Sequence, residues 1–155
     1  NLYELLNEPS KALTNYYTAK ERFESMGRVL DIAETQMSLA KFYFKTKDFT
    51  SALEQAESAY LLTQGIGNNF WSIRAMNLVG KIKHQLHQDQ AAYYSLLYSY
   101  KMATDENDLV GGIEALKILK ELQVEDFNDS EDYSFLWDEQ TKKLAQLYSM
   151  ADSTR

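Results

Sequence analysis

An all-α fold built of antiparallel helix pairs is what this sequence predicts, and three observations carry the prediction. Three stretches line up at a spacing of 40 residues: Ala12, Ala52 and Ala92; Ala19, Ala59 and Ser99; Gly27, Gly67 and Asn107. A fixed period between about 20 and 50 residues is the signature of a repeat array. Apolar residues recur at spacings of three and four, and no segment alternates with period two for long enough to make a strand. The chain has one proline, Pro9, and six glycines, so long stretches keep every backbone donor a helix needs.

The elements follow in order. Residues 2–7 read as the end of a helix. Pro9 and Ser10 open the next, since proline in a first turn removes no hydrogen bond. From Ser10 to Met26, Leu13, Tyr16, Tyr17, Phe23 and Met26 form an apolar stripe with Ala12 and Ala19, and Gly27 stops it. A helix from about Val29 to Lys45 ends at the turn Thr46-Lys47-Asp48. Another, about Phe49 to Gln64, carries Ala52, Leu53, Ala56, Ala59 and Tyr60 and breaks at Gly65–Asn68. Helices from about Asn69 to Leu86 and about Gln90 to Ala103 repeat the pattern, and Thr104–Asn107 marks the next turn. A helix from about Asp108 to Leu122 starts weakly, because Gly111 and Gly112 each cost about 1 kcal/mol relative to alanine. A loop from Gln123 to Asp129 leads to an N-cap at Ser130 and a last helix ending near Ala151.

These boundaries give one repeat domain over 1–155, with units of about 1–26 (partial), 27–66, 67–106 and 107–152. Tyr3 is in register with Tyr43, which lies deep inside a helical segment. The first helix thus reads as cut, and the chain as a piece of a longer protein.

Composition narrows the function classes. The chain is 45% hydrophobic, enough to bury a core. Its net charge of −7 and pI of about 4.8 repel phosphate backbones, so no nucleic acid is expected as a partner of this domain. No apolar run approaches the roughly 20 residues that span a bilayer, so membrane insertion is not expected either. Cysteine is absent, which removes disulfides and thiolate chemistry but does not fix a compartment; the cytoplasm is the favoured reading.

Within the unit whose motif begins at Ala33, Leu39, Ala40, Tyr43, Ala52, Ala56 and Ala59 occupy motif positions 7, 8, 11, 20, 24 and 27. In the next unit Val79, Gly80 and Ala92 hold positions 7, 8 and 20. This pattern resembles the tetratricopeptide repeat (TPR), in which small residues at the eighth and twentieth positions let paired helices touch. The standard repeat is about 34 residues long, so six extra residues make this a long-unit variant. There are departures: position 4 is Gln36 in one unit and Met76 in the next, Lys83 takes position 11, and Leu96 takes position 24. The resemblance implies a right-handed solenoid whose first helices line a concave groove that holds extended or helical peptides.

By that resemblance, the inward positions are Glu34, Met37, Lys41, Phe44 and Lys45; then Arg74, Asn77, Lys81, His84 and Gln85; then Glu114, Lys117 and Glu121. Lys41, Phe44, Lys45, Arg74, Asn77, Lys81, His84 and Lys117 are the candidate binding residues. In the first two units Lys41, Lys45, Arg74 and Lys81 stand against one acid, Glu34, on a chain of net negative charge. Such a strip favours an acidic protein or peptide segment and steers its approach. The same residues also read as ordinary solvated helix positions.

A sharper possibility fails on the sequence. One subset of the family grips chaperone tails with cations and asparagines at positions that here are Met37, Lys41, Leu78, Glu114 and Ile118. Only Lys41 fits.

Other features read blandly. His84 and His87 stand three apart with Asp89 nearby, but a third zinc ligand is not evident, and no metal or cofactor is expected. Eleven tyrosines, with Tyr93, Tyr94, Tyr98 and Tyr100 in one helix, read mostly as packing between repeats. Trp71 opens a groove-lining helix and reads as core before ligand. Residues 121–139 carry eight carboxylates and no Lys or Arg, a solvated surface rather than an acid–base pair. In the last helix Tyr133, Trp137, Gln140, Leu144, Leu147 and Ala151 form a short heptad-like seam, which reads as a cap on the array or as a self-association rod.

The expectation is therefore a non-catalytic protein- or peptide-binding module. Arrays of this kind resemble the sensory or regulatory parts of bacterial signalling proteins. An alternative is a receptor for a short signalling peptide in a transcription regulator. An enzyme is the third class, but no Ser-His-Asp order, phosphate loop or metal set supports it.

Overall fold

The computed structural model describes residues 8–122. The segment 2–7, the loop Gln123 to Asp129 and the last helix, with most of the acidic stretch, lie outside the described residues. Six helices run in order: α1 (Pro9–Ser25), α2 (Val29–Lys45), α3 (Phe49–Gly65), α4 (Asn69–Gln85), α5 (Asp89–Asp105) and α6 (Leu109–Glu121). No strand occurs among the described residues. Each helix packs on its neighbours in sequence, and α4 also packs on α6, so the array is an all-α repeat solenoid.

The helices start at residues 9, 29, 49, 69, 89 and 109, so the 40-residue period contains a regular half-period of 20. The turns explain it. Gly27, Lys47, Gly67, His87 and Asn107, one per turn, all have φ between 56° and 68°. In each, two backbone bonds close the helix end: Gly27 N–H donates to the Glu24 carbonyl and Arg28 N–H to that of Phe23, and the other four turns repeat the pair. This is the Schellman arrangement, which satisfies carbonyls the helix leaves open. Only three residues then separate consecutive helices, which forces them antiparallel. At the far side of three turns, Asp48, Asn68 and Asp108 accept from the backbone N–H of Ser51, Trp71 and Gly111, at 3.2, 3.1 and 3.0 Å. Pro9 opens α1 at a position that needs no donor.

Small residues set the helix spacing. Ala40, Ala52 and Ala56 are fully buried between α2 and α3 and pack with Leu78, Val79 and Ile82 of α4. In the next pair the sizes are exchanged. A Cβ on Gly80 would lie 2.5 Å from Leu96 Cγ, so the missing side chain of Gly80 is the space that Leu96 fills. Both Leu96 and Ala92 are completely buried.

The two junctions between successive pairs differ in chemistry. Between α2 and α4, Ala33, Met37, Ala59 and Ala75 pack with Trp71 in an apolar cluster. Forty residues on, the equivalents of Met37, Ala59 and Trp71 are Asn77, Ser99 and Gly111. Here Asn77 is fully buried and donates to the Gly111 carbonyl at 3.0 Å and to Glu114 Oε2 at 3.3 Å. Its Oδ1 accepts from Ser99 Oγ at 2.6 Å. Three helices are thus tied through one side chain whose donors and acceptor are used, as burial of an amide requires.

Candidate functional site

A groove of about 540 Å³ opens between α2, α4 and α6. α2 contributes Met37, Lys41, Phe44 and Lys45 to its lining, α4 contributes Trp71, Arg74, Asn77, Leu78 and Lys81, and α6 contributes Glu114. The helical period brings them together, because residues three and four apart share a face. Met37, Asn77 and Leu78 are buried, Phe44 and Trp71 half-buried, and Lys41, Lys45 and Lys81 exposed. The groove therefore has an apolar, aromatic floor under a rim of ammonium groups.

Six of the eight residues expected on the groove line it: Lys41, Phe44, Lys45, Arg74, Asn77 and Lys81. His84 and Lys117 do not. His84 Nδ1 lies 2.8 Å from Asp89 Oδ1 across the turn that joins α4 to α5, so the histidine tethers that turn. Lys117 is exposed on α6 outside the groove lining. Trp71, read first as core, is both: it packs on the α2–α4 cluster and shows a face to the groove. Leu78 was not anticipated; its place beside Asn77 on α4 was the available signal.

The charges are not equivalent. Arg74 lies across the Phe70 ring at 3.4 Å from guanidinium carbon to ring centre, donates to the Phe70 carbonyl at 2.8 Å, and forms an ion pair with Asp108. Both side chains of that pair are largely buried. The Arg74 hydrogen bond holds the Asp108 carboxyl below its ordinary value, against an opposing desolvation, with help from the Gly111 N–H. Arg74 is thus a strut between α4 and the start of α6, its charge offset within the fold. Asn77 is occupied in the same way. Lys41 and Lys81 have no carboxylate within ion-pair distance among the described residues. Lys81 Nζ sits 4.9 Å from the centre of the Phe44 ring, a cation–π contact that holds the ammonium over the floor.

No protein-family model and no curated protein matches the chain. The arrangement itself supplies the chemistry. It offers no group of three or more metal-ligating side chains among the described residues. No described helix is long and apolar enough to cross a membrane. The groove presents ammonium donors beside aromatic surface, suited to holding a carboxylate-bearing, partly apolar segment.

Proposed function

We propose that the chain is a tetratricopeptide-type interaction module that binds an acidic protein or peptide segment in the α2–α4–α6 groove, as the sensory or regulatory part of a larger signalling protein. The observation that carries this reading is the rim of Lys41, Lys45 and Lys81 over Phe44 and Trp71 on a chain of net charge −7. The groove volume falls within the roughly 300–1,000 Å³ typical of ligand sites. The repeat reading is supported by the small residues at motif positions 8 and 20, Ala40 with Ala52 and Gly80 with Ala92, all buried between paired helices. Aromatic surface contributes area and the lysines contribute register and encounter rate, so affinity should fall as salt rises.

The test uses synthetic peptide pools of matched length with net negative, neutral and net positive charge. Calorimetry or fluorescence anisotropy should detect binding of the negative pool alone. Lys41→Glu with Lys81→Glu should weaken it by about 100-fold, since each reversal turns an attraction into a repulsion. Equal binding of all three pools, or an unchanged affinity in the double variant, rejects the basic groove.

A further inference from the structure

The antiparallel path places the turns 26–28, 66–68 and 106–108 at one end of the helices and 46–48 and 86–88 at the other. The two edges differ. On the first, Val110 is 66% exposed, Met26 57% and Phe70 52%, with Ile66 and Leu109 close behind. Met26 and Ile66 lie in the first two of these turns, and Phe70, Leu109 and Val110 in the opening turns of α4 and α6. Among the described residues, the opposite edge exposes no large apolar side chain; Lys47, His87 and Gln88 are its surface. Exposed apolar side chains gathered on one edge mark a candidate interaction surface.

The charged residues on this edge differ along the array. Arg22 and Arg28, with Glu24, flank the first turn; residues 62–68 carry no charge; Asp105, Glu106 and Asp108 flank the third. Arg28 is engaged with Asp31 and Asp108 with Arg74. Arg22 and Asp105 are exposed and enter no ion pair among the described residues. A two-fold axis through the middle turn would lay Ile66 and Phe70 against their own copies. It would also bring Arg22 of each chain toward Asp105 of the other. That is the self-complementarity an isologous contact requires.

We propose that this edge docks a second copy of the chain in antiparallel register, with Ile66 and Phe70 at the centre and Arg22 facing Asp105 at each end. Phe70 borders the groove, since Arg74 stacks on its ring, so the variants that test the interface are placed at Ile66 and Val110, which do not line the groove.

Sedimentation equilibrium of the full chain, up to about 1 mM where weak dimers become populated, is the test. The mass should approach twice the 17.9 kDa chain mass and fall back at high salt. Ile66→Asp with Val110→Asp should weaken the dimer at least about tenfold with the helical circular dichroism unchanged. Arg22→Asp should weaken it, and Arg22→Asp with Asp105→Arg should restore it. That charge exchange keeps the proposal testable if the aspartates at 66 and 110 disturb folding. A wild-type mass that stays at one chain throughout overturns the proposal. So does a dimer that survives the edge variants but dissociates on Leu144→Asp with Leu147→Asp, which would place the contact at the seam of residues 133–151 seen in the sequence.

Discussion

At the scale of single residues, the array works by exchanging volume between paired positions. Gly80 and Leu96 do in one pair what Ala40 and Ala56 do in the other. Gly80→Ala should cost about 1–3 kcal/mol by overpacking against Leu96. Leu96→Ala should cost about 2–5 kcal/mol by opening a cavity. The double variant recreates the alanine pair, so urea denaturation should show it less destabilised than the sum of the singles. Strict additivity would mean the two side chains do not share one space. Asp108 gives a second test. Its folded-state pKa is depressed, so it adds stability above the ordinary carboxylate value, and that stability is lost as pH falls through the lower folded value. Asp108→Asn keeps a capping oxygen but removes the charge that Arg74 meets, and should cost about 1–3 kcal/mol at neutral pH. The gap between wild type and variant, followed by denaturation from pH 7 downward, should close in acid. The sequence showed Gly80 as a small residue at motif position 8 and Leu96 as a departure at position 24, but not that each explains the other. Likewise Arg74 was legible as a cation on the inward face, while its ion pair with Asp108, 34 positions away, depends on how α4 meets α6.

At the scale of elements, the helix ends are the best-determined feature and were the most legible in the sequence. Gly27 and Gly67 announce left-handed turns directly. Lys47 and His87 adopt the same conformation without the glycine signal, and so the 20-residue half-period was hidden behind the 40. A side chain in that region is strained by roughly 1 kcal/mol, partly offset by the greater freedom glycine gives the unfolded chain. Lys47→Gly and His87→Gly should therefore each stabilise by about 0.5–1 kcal/mol, and Gly67→Ala should destabilise by a similar amount. Thermal melts compared across the three variants check this directly. A destabilised Lys47→Gly would mean the lysine side chain contributes more than its backbone costs. Gly111, expected to weaken the start of α6, has a packing role there. A Cβ on Gly111 would meet Ile73 Cγ2 at 2.6 Å and Asp108 Oδ2 at 2.8 Å, so the glycine allows the close approach of α6 to α4.

At the scale of the whole molecule, two surfaces stand apart from ordinary solvated helix. One is the groove, where α2, α4 and α6 gather ammonium groups over Phe44 and Trp71. The other is the apolar edge that also carries Arg22 and Asp105. The resemblance to the tetratricopeptide repeat made the first legible in the sequence, because it implies which positions of successive units face inward. The second was not, since an edge is defined by where turns meet in space rather than by spacing along a helix. The groove is the centre of the account. Its most direct test is a backbone-amide and indole NMR titration with the net-negative peptide pool. The account predicts shift changes concentrated at Lys41, Phe44, Lys45, Lys81 and the Trp71 indole, abolished by Lys41→Glu with Lys81→Glu. Changes confined to the exposed Tyr94 and Tyr98 surface of α5, or none at all at saturating peptide, would contradict it.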